Sequence, residues 1–341
     1  MLAKVIMRIT HQQIADQVGV SRTVVTHVLH RTPNTRINEE TRQEILRVAA
    51  ELGYEPRNRA TYNIGYVMAP SQMKLDAEIA QMMHLEKILR RRGYRLTLAS
   101  WEDEEPLRLK ETFNSKTVDA IIFNIWGDGL IKQIPSAQMP WVLLSDEDGV
   151  ESDGDVDLIA LDSFLTAKHM AQHFIEHGHT RLGLVVGLPN IKFHRSIIEG
   201  TRQAMKEAGI EPETLQLVRP YHIEEVPGDL LPMMCKSGAP TVILTTSPGI
   251  AITTLYALRS NGYRIPGEVS LAALFDHERY QALPPVLTAT DALGTGFLEK
   301  VADRVIEKIH NPQTPPQQIH IAGNIIERQS VGMPPQQVQR Y

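Results

Sequence analysis

Five polar side chains, Arg22, Thr23, Thr26, His27 and His30, recur in the segment RTVVTHVLH at the spacing of one helical face, while Val24, Val25, Val28 and Leu29 take the opposite face. An arginine fork can donate two bonds to a guanine edge, and a threonine offers a hydroxyl and a methyl that suit a thymine edge. A histidine meets a base through one ring nitrogen, so His27 reads with one bond where an arginine would read with two. This is base-reading chemistry. It is also the pattern of a solvated face on a small helical bundle, and the face alone does not choose between the two.

Other constellations are weaker. His169, His173 and His177 recur every fourth residue, with His179 just beyond, a spacing that can bind zinc. No nearby cysteine or pair of carboxylates completes a shell in the sequence, so the stripe is expected to be a packed or surface feature and no metal is expected. The run Asp153-Gly154-Asp155-Val156-Asp157 lacks the spaced ligands and closing glutamate of a calcium loop. Arg90, Arg91 and Arg92 sit where a helix ends, which the helix dipole favours without any ligand. No GxGxxG, P-loop or GxSxG motif occurs. No catalytic residue is assigned, no cofactor is expected, and the chain is not expected to be an enzyme.

The elements that would hold the polar face can be read from their ends. Thr10 and Gln13 have the spacing of a capping box, Ile14, Ala15 and Val18 follow on one face, and Gly19 supplies a tight turn. Ser21 is placed to cap the segment that carries Arg22. Asn38 is placed to cap a third helix with Glu39 and Glu40 in its first turn, Ile45, Leu46, Ala49 and Leu52 as its buried stripe, and Gly53 at its end. Three short helices with a glycine turn between the first two make a helix-turn-helix, which lays its second helix in the major groove.

Charge agrees. Residues 1–60 hold nine Lys and Arg against six Asp and Glu, and the remaining residues 26 against 34, so a basic head precedes an acidic body within a net charge of -5. With 341 residues, two or three domains are expected. The single cysteine, Cys235, allows no internal disulfide, and with no apolar run near the roughly 20 residues of a membrane span, a soluble cytoplasmic protein is expected.

Beyond Asn63, apolar β-rich runs alternate with amphipathic stretches. IGYVMAP, YRLTLAS, VDAIIFNIW, PWVLLSDE, DLIALD, TRLGLVVG, TVILTTS and VSLAALF read as strands; AEIAQMMHLEKILRRRG, FLTAKHMAQHFIEHG, EGTRQAMKEAGI and AITTLYALRSNG read as helices. That alternation predicts parallel, doubly wound sheets in two lobes. The tail GMPPQQVQRY is Pro- and Gln-rich and is expected to be mobile.

The run ITHQQIADQVGVSRTVVTHVLH, followed by INEETRQEILRVAAELGYEP, resembles the reader domain of the LacI/GalR (lactose-repressor-like) family. HGHTRLGLVVG, EGTRQAMKEAGI, NGYRIPGEVSL, LPPVLT and IIERQS resemble that family's periplasmic-binding-protein-like sensor, so the likeness runs over almost the whole chain. The resemblance implies a helix-turn-helix domain at 1–60, a linker reduced to 61–63, and a two-lobed α/β sensor and dimerisation domain at 64–332 followed by a tail at 333–341. Lobe one would hold about 64–160 and 289–321, lobe two about 161–288 and 322–332, with crossings near Leu161, Ala289 and Ala322. It places Arg22, Thr23 and His27 at base-reading positions and Thr26 and Arg57 at phosphates. Thr10, Ser21 and His30 complete the candidate DNA-facing set. Gln13, Val24 and His27 depart from the family's usual Asp, Thr and Arg.

The resemblance also implies an effector cleft, and there the chain departs furthest. Ile197 stands where sugar-binding members carry an arginine, Ser247-Pro248 replace an Asn-Asp pair, Phe275-Asp276 an acid pair, and Ser145 an acid, with Asp146 one place later. A sugar needs convergent polar partners because its hydroxyls lose water on burial. The candidate effector residues are Asn124, Trp126, Asp146, His194, Arg195, Tyr221, His222, Ser247, Phe275 and Asp276. The expectation is a sequence-specific DNA-binding transcriptional regulator, a repressor, acting as a homodimer on a pseudo-palindromic double-stranded operator, with no membrane partner. A small-molecule effector, not a simple sugar, would modulate it. The alternatives are a DNA-binding regulator whose orphan sensor serves only dimerisation, and a cytoplasmic solute-binding protein.

Overall fold

The structure is a computed structural model that describes residues 9–29, 37–52, 54, 60–68, 76–100, 113–124, 139–145, 156–187 and 192–335. The chain divides into two units, the first ending at Thr61 and the second beginning at Tyr62.

The first unit holds helices α1 (His11–Val18), α2 (Arg22–Leu29) and α3 (Glu39–Glu51). Each starts where the sequence supplies a cap. Thr10 and Gln13 exchange bonds reciprocally, Val24 N donates to Ser21 Oγ at 3.3 Å, and Thr41 N donates to Asn38 Oδ1 at 2.7 Å. Gly19 ends α1 at φ 75, a left-handed conformation that glycine adopts without strain. Ile14, Ala15, Val25, Val28, Ile45, Val48 and Ala49 close the core. Leu46, expected in the buried stripe, is instead exposed, and Val48 takes its place. Positions 45, 48, 49 and 52 share one face at 3.6 residues per turn, and 46 falls beside it. Leu52 caps α3; Gly53 lies outside the described residues.

The second unit carries two parallel sheets. In lobe one, β1 (Asn63–Met68), β2 (Arg95–Ser100), β3 (Ala120–Asn124), β4 (Trp141–Ser145), β5 (Leu158–Leu161) and β11 (Gln318–Ile321) stand in the order β11-β5-β4-β3-β1-β2. In lobe two, β6 (Leu182–Val185), β7 (Gln216–Val218), β8 (Val242–Thr245) and β9 (Ser270–Ala273) stand in the order β7-β6-β8-β9. A third pairing, antiparallel, joins β10 (Ala289–Thr290) to β12 (Ile325–Ile326) between the two sheets in sequence. The helices are α4 (Asp76–Arg91) and α9 (Thr295–His310) on lobe one, and α5 (Ser163–Glu176), α6 (Lys192–Glu207), α7 (Val226–Met234) and α8 (Pro248–Ser260) on lobe two.

Burial on both faces explains the unbroken apolar runs of β1, β3, β5, β6, β8 and β9, whereas β2 and β11 are largely exposed. Leu182, Leu184, Val242 and Leu244 pack toward α5 and α6, while Val185, Ile243 and Leu271 pack toward α7 and α8. Ile64, Tyr66 and Met68 pack under α4 and α9. Elements α7, α9, β7 and β10–β12 were not expected from the sequence. Gly332 N donates to Ser270 Oγ at 3.0 Å, and the Gly332 carbonyl accepts from His179, so the chain is fastened to lobe two through Gly332.

Lobe one is held by buried charge as well as by packing. Arg304 on α9 donates to Asp157, just before β5, which also accepts from Lys308 at 3.0 Å and from Gln317 N at 3.0 Å. Asp157, in the acidic run set aside as a calcium loop, is therefore the buried anion of a structural ion pair.

Candidate functional site

The N-terminal turn of α2 is where the reader would meet a base edge. Arg22 and Thr23 are exposed there, side by side, and Ser21 just before them is exposed too. Thr26 and His27, one turn on, are half-buried. The Thr26 hydroxyl donates to the Arg22 carbonyl at 2.9 Å, so His11 Nδ1, 2.9 Å from the same oxygen, must be the donor of that bond. His11 Nε2 then accepts from the Tyr54 hydroxyl. This chain from Tyr54 through His11 to Thr26 fixes α1 against α2 and was not foreseen; the residues are 43 and 15 positions apart. Nδ1 of His27 is shielded and has no partner, which leaves Nε2 as the nitrogen able to meet a base. Thr10 is engaged in its capping box. His30 and Arg57 lie outside the described residues.

In the sensor, ligand crevices form outside the carboxyl ends of parallel strands where the strand order reverses. Lobe one reverses between β1 and β3, and lobe two between β6 and β8. At the first of these, Asn124 ends β3, is buried, and donates from Nδ2 to the Tyr66 hydroxyl at 2.8 Å and to Glu78 Oε2 at 3.5 Å. Glu78, near the start of α4, is 8% exposed with no cation in that network among the described residues. Burial raises its carboxyl above the ordinary range, against the lowering effect of the Asn124 bond. The Tyr66 phenol is raised as well, by burial first and by the nearby Glu78 charge. Tyr66 and Glu78 were missed in the sequence because each looks like core or helix surface until β1, β3 and α4 are brought together.

The second crevice is apolar. The rings of Phe193 and Phe275 stack at 5.8 Å with 13° between their planes. The His194 ring lies where a side chain at Gly187, just beyond β6, would stand, 2.2 Å from an added Cβ, so a larger residue there would displace the imidazole. Ile197 is fully buried in the core of lobe two and presents nothing to a crevice. Ser247 spends its oxygen on the N-cap of α8, accepting from Ile250 N at 3.3 Å, with Pro248 at the first helical position. Both Asp276 oxygens accept from Arg328, each at 2.7 Å. Tyr221 and His222 sit exposed on the loop after β7, where their backbone amides donate to Glu225. Arg195, exposed, follows His194 on α6. The structure thus brings Phe193, His194, Ser247, Phe275 and Asp276 to the carboxyl edge of one sheet and Asn124 to that of the other. Trp126 and Asp146 lie outside the described residues.

Comparison with known proteins agrees with both halves. Residues 10–57 match the family described as bacterial regulatory proteins, lacI family, and residues 171–331 match the periplasmic binding protein-like domain. The chain is 27% identical over 308 residues to the HTH-type transcriptional regulator DegA of Bacillus subtilis (strain 168), covering 84% of this chain and 88% of that protein. It is 26% identical over 340 residues to the HTH-type transcriptional repressor PurR of Klebsiella pneumoniae (strain 342), covering 94% and 96%. Among solved structures, the fold is similar to the transcriptional regulator CelR in its cellobiose complex (TM-score 0.66, 22% identity, covering 95% of this chain and 100% of that one). It is similar also to the Lac repressor bound to ONPG (TM-score 0.65, 17% identity, covering 95% and 100%). No described helix is long and apolar enough to cross a membrane. With a capped helix-turn-helix at one end and a doubly wound two-lobed sensor at the other, the chain belongs to the LacI family of DNA-binding transcriptional regulators.

Proposed function

We propose that this regulator is a cytoplasmic repressor that binds a pseudo-palindromic operator as a homodimer and is modulated by a small, weakly polar or aromatic effector held between the two lobes. The observation that carries the DNA half is the exposed pair Arg22 and Thr23 on the first turn of α2, the position from which a recognition helix meets base edges. Arg22, Thr23 and His27 read bases. Thr10, Ser21, Thr26, His30 and Arg57 hold the backbone, which fixes register without reading sequence. The reader comprises residues 1–60 and the sensor runs from about 64 to 332.

A second copy is supported by lobe one's outer edge. There β2 ends the sheet among the described residues, Leu98 is exposed on it, and Ile79 and Met83 are exposed on the neighbouring α4. An unpaired strand edge beside an apolar helix face is covered most simply by the same surface of a twin.

Among the described residues, the Phe193–Phe275 stack, the buried Ile197 and the engaged Asp276 leave few polar partners for a free hexose. The cellobiose and ONPG of the structural neighbours are therefore guides to the place of the effector more than to its chemistry.

Selection of operator half-sites from random DNA tests the reader. Arg22→Ala is expected to lower affinity for the preferred site by about 1–3 kcal/mol and to relax one position per half-site. Unchanged specificity would remove Arg22 from the reader. Calorimetry tests the effector: tight binding of a simple hexose would overturn the proposed class, and failure of every ligand would favour a sensor that serves dimerisation alone.

A further inference from the structure

We infer that His173, His177 and Glu327 form a binding site for one divalent transition-metal ion of the zinc type, joining the carboxyl end of α5 to the chain just beyond β12. Nothing in the function proposed above requires it, and it runs against the expectation from the sequence that the histidine stripe is merely packed.

The site begins with helix spacing. Four residues apart, His173 and His177 lie on one face, and their rings meet at 4.3 Å between centroids, tilted by 58° and so not stacked. Glu327, 150 places along the chain, is brought to them by the return of the last crossover strand. One ligand atom from each of the three lies within 4.8 Å of the other two. A tetrahedral zinc ion with bonds of about 2.0–2.1 Å needs ligand atoms roughly 3.3 Å apart. His177 Nε2 and Glu327 Oε1, at 3.6 Å, are nearly there, and modest rotation of half-exposed side chains brings in the third.

Proton positions point the same way. His177 Nδ1 lies 2.8 Å from the His173 carbonyl oxygen, which can only accept, so in the neutral ring the proton is on Nδ1 and the lone pair on Nε2. A ligating histidine is typically held in this way, its second nitrogen donating to a backbone carbonyl. The lone pair of Nε2 then faces the Glu327 carboxylate, acceptor against acceptor, with a cation the simplest group to satisfy both. His173 Nε2 supplies an independent sign, since it is shielded from solvent and has no hydrogen-bond partner.

The neighbouring histidines separate cleanly. His179 has both nitrogens engaged, Nε2 with the Gly332 carbonyl and Nδ1 with Thr241 Oγ1, each at 2.8 Å, so it is no ligand. His169 is outside the cluster. Two imidazoles and one carboxylate form a donor set suited to zinc, cobalt or nickel, and three protein ligands leave a fourth position for water.

The test uses the full-length, untagged chain stripped with a chelator and titrated with zinc chloride, followed by calorimetry and thermal unfolding, and with cobalt chloride followed by visible absorption. Saturation at one ion per chain with a rise in Tm is expected. Glu327→Gln, at an exposed side chain that should leave folding intact, and His177→Gln should each weaken binding about tenfold or more and alter the cobalt spectrum, while His169→Gln changes neither. Absence of saturable binding, as when His177 and Glu327 merely share a proton, would overturn the proposal. So would binding that Glu327→Gln and His177→Gln leave unchanged.

Discussion

Each lobe of the sensor holds an arginine against an aspartate, and the two pairs differ mainly in burial. In lobe one the Arg304 and Asp157 side chains are 2% and 4% exposed, and Lys308, Gln317 N and the Pro315 carbonyl take up the remaining donors and acceptors. In lobe two the Arg328 and Asp276 side chains are 14% and 32% exposed, with the Leu287 carbonyl as a further acceptor for Arg328. The same two functional groups therefore do different things. A fully desolvated pair commits its lobe to one arrangement, because either partner alone would be a charge without water. A half-exposed pair can be broken and hydrated, so the segment after β12 can respond to what happens at the end of β9.

The comparison is sharpest if each aspartate is neutralised in turn. Asp157→Asn leaves Arg304 and Lys308 without their buried anion, Arg304 keeping only the half-exposed Glu307, and urea unfolding is expected to show a loss of about 3–5 kcal/mol. Asp276→Asn leaves Arg328 near water and still bonded to the Leu287 carbonyl, so the loss should be only about 1 kcal/mol. Equal losses would mean that burial is not what separates the pairs.

A third carboxylate extends the contrast, because Glu78 is buried beside Asn124 and Tyr66 with no cation in its hydrogen-bond network among the described residues. Its carboxyl is raised by burial, so between the ordinary glutamate range and that raised value the folded chain binds more protons than the unfolded chain. Stability must then fall as pH rises through this window. Glu78→Gln keeps the hydrogen-bonding shape and removes the titration. Its unfolding free energy is expected to lose that slope and to exceed the parent's above the window. An unchanged pH profile would show that Glu78 is hydrated or partnered in solution.

What could be read from the sequence was what is local. The caps at Thr10 and Asn38, the turn at Gly19 and the polar face of α2 are settled by residues within one or two turns of each other, and each is found as expected. The apolar runs of β1, β3, β6, β8 and β9 were equally plain, since a strand buried on both faces leaves little choice of residue type. Contacts closed over long stretches were not legible. Arg304 meets Asp157 across 147 residues, and Tyr66 meets Asn124 across 58. Leu46 misled for a related reason: apolarity marks a candidate for burial, and only the packing of three helices decides which of two neighbouring positions is chosen. At the sensor edges, residue type did not give the state of the side chains, for Ser247 is used as a cap and Asp276 is held by Arg328.

The smallest effect is expected where reader and sensor units join. A short helix that wedges a side chain into the minor groove needs room, about 3.6 residues for each turn, and freedom from the domain behind it. Here β1 begins at Asn63, one place before the expected Ile64, and Ala60, Thr61 and Tyr62 are not helical. Tyr62 is itself fastened to lobe one. Its amide donates to Asp119 Oδ2 at 2.8 Å, its carbonyl accepts from Arg95 N at 2.8 Å, and its φ of 53 holds the backbone in the left-handed region. Its ring, though 58% exposed, lies 6.1 Å from that of Tyr94 and lines a recess of ≈ 370 Å³ with Arg92 and His310. To serve as a wedge, Tyr62 would have to leave the sheet edge and lose both backbone bonds. Tyr62→Ala is therefore expected to leave the bend angle of the bound operator unchanged in a circular-permutation gel-shift. The parent should show only a weak bend there. A strong bend centred between the half-sites and lost in Tyr62→Ala would mean that these bonds break on DNA, making the first turn of the sensor part of the reader.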